Sequence, residues 1–344
     1  MDTIHPKVYI VLLNWNSWEH TIECLESIFR SDFRNYQIVI VDNCSTDHSV
    51  EHILNWTQGR VSCWVAPENP LRRLSHPPFA KIVPCLCYSS QQAIIGGNSA
   101  AENLVYQQLP QGLVHPLVLI KTDCNLGFGR GNNVAFSYID AKGDGDYVWL
   151  LNNDTVIEST TLTLMVETAQ RHPGIIGSVV KYYAYPEQVQ SYGGGHISRI
   201  TGRTRLETRS RCSNLDFIFG VSMMLDRSTL HNIGGFDENM FMYFEENEYC
   251  IRAQKSGVAI AMSEAVVFHK GGGSSSDSYF QWKNVYQGKI YTFVKHFGLG
   301  PWVLGTAFMW CINLINPCVG KDKKRASREA LHILYQTIIK AWQS

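Results

Sequence analysis

The sequence predicts an α/β protein built on a mostly parallel central sheet with helices on both faces. Two observations carry this: short, almost wholly apolar runs recur through the first half of the chain, and helical apolar spacing fills the gaps between them. Strands that alternate with helices pack as a sheet covered on both sides.

Residues 8–13 (VYIVLL) read as a strand buried on both faces, and residues 18–30 place Ile22, Leu25, Ile28 and Phe29 on one helical face. A second strand at 37–41 (QIVIV), a short helix at 47–56 and a third strand at 61–65 (VSCWV) continue the rhythm. It then breaks over residues 66–115, where six prolines, one of them opening a PQG turn, and a GGN turn predict an insertion. Strand 117–120, helix 127–139, strand 147–151 and helix 159–171 resume the pattern. Beyond Pro173 the chain turns more β-like, with IIGSVV, a YGGG turn, FIFGVSMML and a short helix near Ser228. No internal repeat is present.

A chain of 344 residues, 45% hydrophobic and 17% charged, can bury a sizeable core. Thirty basic residues balance thirty acidic ones, so no basic stripe points to nucleic acid. Ten scattered cysteines without a CxxC pair argue against a zinc site or disulfide framework and for free thiols in a reducing cytosol. The strand-like start offers no signal-peptide pattern. Residues 299–320 carry no charge and run into KDKKR. Asn313, Asn316 and Pro317 weigh against a full crossing, which needs about 20 apolar residues, and leave an interfacial segment or a helix docked on the protein.

In an open parallel sheet, ligands sit beyond the carboxyl ends of the strands, so the residues there are candidates. Strand one ends in Asn14, strand two in Asp42 and Asn43, the fourth leads to Asn125, and the fifth runs into Asn152, Asn153 and Asp154. Asp42 could accept the ring N–H of a pyrimidine, although Asp and Asn after strands are also ordinary turn and cap residues. NLGFGRGNN opens a helix with Gly127, Gly129 and Gly131, where backbone amides can approach an anionic or hydroxyl-rich ligand. Asp154 could hold a divalent cation, magnesium or manganese, against a diphosphate, or simply cap a turn.

Further on, Glu245, Glu246 and Glu248 cluster at the start of a predicted helix with Cys250, Ile251 and Ala253 on its buried side. The helix dipole and a Glu248–Arg252 ion pair account for some of these acids, yet the cluster is also the best source of a general base. His269 closes the apolar AVVF before KGGGSSS, where an imidazole could complete a metal site and the loop could close over substrate.

VLLNWN, VDNCSTD, NLGFGRGNN, WLLNNDT, GGFDENMFMYFEENEYCIRA and VVFHKGGGS occur in one order. In combination they resemble the inverting family 2 of nucleotide-sugar glycosyltransferases with the GT-A fold, in its rhamnosyltransferase-like branch, over roughly residues 7–275. The resemblance implies a GT-A domain at 1–281, with a nucleotide-binding half at 1–158 and an acceptor-binding half at 159–281. A helical, membrane-associating region would follow at 282–344. It further implies that Leu13, Asn14 and Asp42 surround the base, and that Asn125, Gly127, Asn132 and Asn133, with Asn152 and Asn153, lie along the rest of the donor. Asp154 and His269 would meet the metal, and Glu246 would be the base, with Glu245 the alternative.

Two positions depart from the family pattern: Asn152 stands where the first acid of a DxD-type motif is usual, and Glu246 where Asp is usual. The implied partners are a thymidine or uridine diphosphate sugar, rhamnose first, and a glycan or lipid-linked hydroxyl acceptor at the cytoplasmic face of a membrane. A catalytically inactive relative and a sugar-nucleotide pyrophosphorylase remain alternatives. No early GTR-type loop with a lysine supports the latter.

Overall fold

The computed structural model describes residues 6–79, 82–210, 214–271 and 277–343. Its first half runs β1 (Val8–Asn14), α1 (Trp18–Ile28), β2 (Tyr36–Asp42), α2 (Ser49–Thr57), β3 (Cys85–Ser89), α3 (Ser90–Ile94), α4 (Ser99–Tyr106), β4 (Leu117–Lys121), α5 (Gly127–Lys142) and β5 (Tyr147–Leu151). Then come β6 (Thr155–Ile157), α6 (Thr161–Arg171), β7 (Ile175–Tyr182), β8 (Val189–Tyr192), β9 (Gly194–Ile197), β10 (Thr204–Leu206), β11 (Phe217–Ile218), β12 (Ser222–Asp226) and α7 (Arg227–Ile233). The chain ends with α8 (Glu245–Lys255), β13 (Ile260–His269), α9 (Ser278–Phe297), α10 (Trp302–Ile315) and α11 (Lys321–Gln343).

Among the described residues ten strands form one sheet in the order β3-β4-β2-β1-β5-β12-β7-β13-β6, with β8 beside β7. The pairs from β3 to β5 are all parallel, and β12 joins β5 and β7 in antiparallel sense. The wholly apolar strands follow from burial on both faces. Val8, Ile10 and Leu12 pack with α1, α2 and α6, whereas Tyr9 and Val11 point into a second core with Ala135, Tyr138 and Ile139 of α5.

The expected third strand at 61–65 does not form. That stretch lies outside the sheet: Val61 and Cys63 pack against the first core while Trp64 is 80% exposed. Its alternation reflects an extended segment resting on the helical layer. The sheet's third strand in chain order is β3, which pairs with β4 at the edge from within residues 66–115. The segment read as an insertion is therefore partly sheet. Its prolines and turns mark the loops around an edge strand, the place where a sheet tolerates them.

A third core joins Met240 and Phe244 to α9, α10 and α11 through Phe293, Trp302 and Trp310. α10 is a 14-residue helix whose Trp302, Thr306 and Trp310 are buried. Among the described residues no helix is long and apolar enough to cross a membrane.

Lys289 of α9 is 6% exposed, beneath the ring of Trp310 and without an acidic partner among the described residues. Burial pulls its ammonium from 10.5 down to about 8. Because the unfolded chain then binds the extra proton between these values, stability should rise with pH through that window. Lys289→Met should raise the melting temperature at pH 7 by about 1–3 °C and abolish the alkaline rise, as followed by thermal melts at several pH values.

Candidate active site

The parallel strands β1, β2, β4 and β5 end on the same edge of the sheet, and there a cleft of about 280 Å³ opens. Leu13, Asn125, Gly127, Asn152, Asn153, Asp154 and His269 line it from the strand ends; Glu245 and Glu246 line it from across. Asn14, Asp42, Asn132 and Asn133 sit behind or beside that lining.

Asn14 is fully buried and ties three loops together. Its Nδ2 donates to Asp42 Oδ1 at 2.8 Å and to Ser45 Oγ at 3.1 Å, while its Oδ1 accepts from Thr21 Oγ1 at 2.8 Å and from Asn153 Nδ2 at 3.3 Å. Asp42, 3% exposed, also accepts the Ser45 amide on Oδ2. Asn43, next along, donates to Asn125 Oδ1 and the Gly127 carbonyl and accepts the Leu126 amide, joining the β2 and β4 loops.

The Gly-rich start of α5 serves a close approach of chain to chain. Gly127 has φ +79°, and a Cβ there would meet the Phe241 carbonyl at 2.0 Å, so only glycine lets the Phe128 amide reach that carbonyl. Asn132 turns back on the Phe128 carbonyl, and Asn133 pairs with both the carbonyl and the amide of Phe236. These contacts hold residues 236–244 over the helix start.

Asp154 and His269 meet through strand register, since β6 and β13 pair Thr155 with His269. His269 Nε2 lies 3.3 Å from Asp154 Oδ2, and its Nδ1 lies 2.9 Å from Gln190 Oε1. A proton on Nδ1 satisfies Gln190 and leaves the Nε2 lone pair facing a carboxylate, a pair of donor atoms suited to a cation. Asp154 Oδ1 is buried with no partner in the described structure, a further open oxygen. Burial works to raise the Asp154 carboxyl, but when the His269 ring is protonated its hydrogen bond and charge, together with the charge of His20, outweigh burial and hold the group below its ordinary range. Beside them, Lys270 pairs with buried Glu23 and approaches His20 Nδ1 at 2.9 Å, fastening the end of β13 to α1. The KGGGSSS segment after it falls largely outside the described residues.

Across the cleft, Tyr243 and Phe244 take left-handed backbone conformations, φ +69° and +79°, directly before Glu245. Such conformations cost about 1 kcal/mol or more each and persist where packing over-determines them. Here Gly288 of α9 lies against the Tyr243 carbonyl and Phe244 is buried in the third core. Glu245 is 2% exposed with an unpartnered Oε2, while Glu246 is half-buried and lies over Gly220. Burial raises both carboxyls well above the ordinary range, and the neighbouring Glu246 charge adds to the rise at Glu245. Glu248 has a different role: fully buried, it binds Arg252, Lys295 and His296.

A model described as glycosyltransferase like family 2 matches residues 77–284, and one described as glycosyl transferase family 2 matches residues 9–70. The chain belongs to glycosyltransferase family 2. Rhamnosyltransferase WbbL of Escherichia coli K12 is 24% identical to this family 2 glycosyltransferase over 149 residues, 39% of this chain and 56% of the relative. The N-acetylglucosaminyl-diphospho-decaprenol L-rhamnosyltransferase of Mycobacterium tuberculosis is 26% identical over 200 residues, 49% of this chain and 64% of the relative. The chain matches about half to two thirds of the length of these relatives. The mannosyltransferase PcManGT of Pyrobaculum calidifontis, solved with GDP-Man and Mn2+, shares the GT-A fold at a TM-score of 0.51 and 14% identity, over 99% of this chain and 76% of that one.

Two residues at or behind the cleft of this glycosyltransferase, Trp15 and Gln190, escape sequence reasoning. Trp15, 39% exposed at the mouth, follows Asn14 and was readable as a loop residue only, whereas Asn43 was among the strand-end candidates. Gln190 comes from β8, a short strand with no motif of its own.

Glu245 gives a stability signature. Its raised carboxyl keeps a proton in the folded chain that the unfolded chain releases above about 4.5, so folding stability falls as pH rises from there toward and past neutrality. Glu245→Gln should stabilise the enzyme at about pH 8 by roughly 1–3 kcal/mol and flatten that decline, measured by denaturant unfolding between about pH 5 and 8.

Proposed function

We propose that this enzyme moves one sugar from a nucleoside diphosphate to a hydroxyl of a glycan or lipid-linked acceptor, with inversion at the anomeric carbon. One observation carries the reading: a carboxylate poised to take a proton, Glu246, lines the same cleft as the Asp154–His269 pair. The relatives' rhamnosyltransferase names favour rhamnose as the sugar and thymidine diphosphate as its carrier, with uridine diphosphate next.

Asp154 and His269 would hold a divalent cation, magnesium or manganese, which neutralises charge on the departing diphosphate. Its fit rests on the unpartnered Asp154 Oδ1 and the two facing donor atoms. Asn152, lining the same cleft, supplies a neutral amide, so among the described residues Asp154 is the carboxylate that faces His269. The Asn14 network fixes the loops on which the base and ribose would lie, with Leu13 and Asn125 in contact and Asn14 and Asp42 behind.

Glu246 takes the proton from the acceptor hydroxyl as its oxygen bonds to the anomeric carbon. The bond from that carbon to the diphosphate breaks, and the nucleoside diphosphate leaves with the electron pair. Glu245, deeper and protonated more readily, limits the charge beside Glu246 and lets one carboxylate act at a time. We place the enzyme as a peripheral protein at the cytoplasmic face of a membrane, where a lipid-linked acceptor presents its sugar.

Glu246→Gln should lower kcat by about 10²–10⁴ with donor binding nearly unchanged, and wild-type kcat/KM should climb with pH as the raised carboxyl ionises. Full turnover in the variant would remove Glu246 from this role. Calorimetric titration with thymidine and uridine diphosphates, with and without manganese, tests the donor side. Binding is expected to need the metal and to vanish in Asp154→Ala.

A further inference from the structure

α10 buries Trp302 and Trp310 against α9 and Thr306 against the β9–β10 hairpin, and turns the opposite face outward. On that face Leu304 is 79% exposed, Phe308 67%, Ile312 39% and Ile315 79%. At helical spacing these side chains form one stripe about 16 Å long, and the helix carries no charge. The tip of the β9–β10 hairpin extends the stripe: Ile200 is 70% exposed, and its carbonyl lies against Gly305 of α10. Two elements far apart in the chain thus present one apolar ridge.

Cations flank this ridge. α11 begins at Lys321 immediately after the turn that follows α10, and brings Lys321, Lys323, Lys324, Arg325 and Arg328 against a single acid, Asp322, in the same stretch. Lys323 covers the ring of Trp282 and Arg325 that of Tyr279, whereas Lys321 and Arg328 are exposed to solvent. On the hairpin side, Arg203 and Arg205 are exposed as well. An exposed apolar ridge is costly in water, and the pairing of such a ridge with flanking cations matches a bilayer surface bearing anionic headgroups.

We propose that the outer face of α10, with Ile200, is the element that docks this enzyme on an anionic lipid surface. The helix lies in the interface plane, with Leu304, Phe308 and Ile315 among the acyl chains and the lysines of α11 at the phosphates. This deepens the peripheral placement proposed above, and it can be tested without donor or acceptor, so its failure would leave the transfer reading standing.

The test is co-sedimentation of the full chain with vesicles of phosphatidylcholine alone and of phosphatidylcholine with about 30% phosphatidylglycerol, at low and high salt. Wild type should bind the anionic vesicles and be partly released by salt. Leu304→Ser, Phe308→Ser and Ile315→Ser combined should weaken binding about tenfold or more, and Lys321→Glu with Arg328→Glu should remove the preference for anionic lipid. Thermal melts check that both variants remain folded. Absence of wild-type binding, or equal binding by the serine variant, would overturn the proposal. So would sedimentation velocity showing a dimer that the serine variant dissolves, because the ridge would then be covered by a second copy.

Discussion

The site depends on one buried side chain, Asn14, at the carboxyl end of the central strand. β1 lies between β2 and β5, and the Asn14 amide reaches the loop after each of them and the first helix as well. A hydrogen bond of this kind contributes about 0.5–1.5 kcal/mol net, but removing one member leaves several buried polar groups unpaired at about 1–3 kcal/mol each. Asp154 follows directly after Asn153, so the geometry of the cation-suited pair is inherited from this network. Parallel strands supply the converging ends; Asn14 holds their loops in one arrangement.

The opposite wall of the cleft is held differently. Residues 236–244 have little regular structure, and two of them sit in left-handed conformations. Their position is over-determined from both sides. Gly127 and Asn133 grip the segment from α5, while Phe244, Met240 and Gly288 bind it to the C-terminal helices. Those helices therefore buttress the two carboxylates as well as carrying the exposed ridge. Unpartnered oxygens on Glu245 and Asp154 concentrate on the two walls of one cleft, where the fold accepts a local cost that packing elsewhere offsets.

Much of this architecture was legible. Strands such as β1 and β2 are buried on both faces, so their unbroken apolar runs stand out, and the helices between them show the matching period. The stretch at 61–65 was misread because an extended segment resting on a helical layer alternates like a strand but has no neighbour to pair with. β3 was hidden for the converse reason: an edge strand with exposed Cys87 and proline-rich flanks looks like loop. At NLGFGRGNN the glycines announced a close approach, and in the structure Phe241 approaches Gly127, Phe236 approaches Gly129 and Leu13 approaches Gly131.

The sequence by itself determined the sheet, its polar strand ends and the family, because burial and turn chemistry act locally and leave a periodic trace. Only the tertiary structure decided which distant groups meet. The register of β6 on β13 sets Asp154 against His269, and β8 brings Gln190 to the far ring nitrogen. The same holds for the paired acids, adjacent in the chain and chemically alike. Packing buries Glu245 and turns Glu246 toward the cleft over Gly220, a distinction of environment that no local pattern can encode.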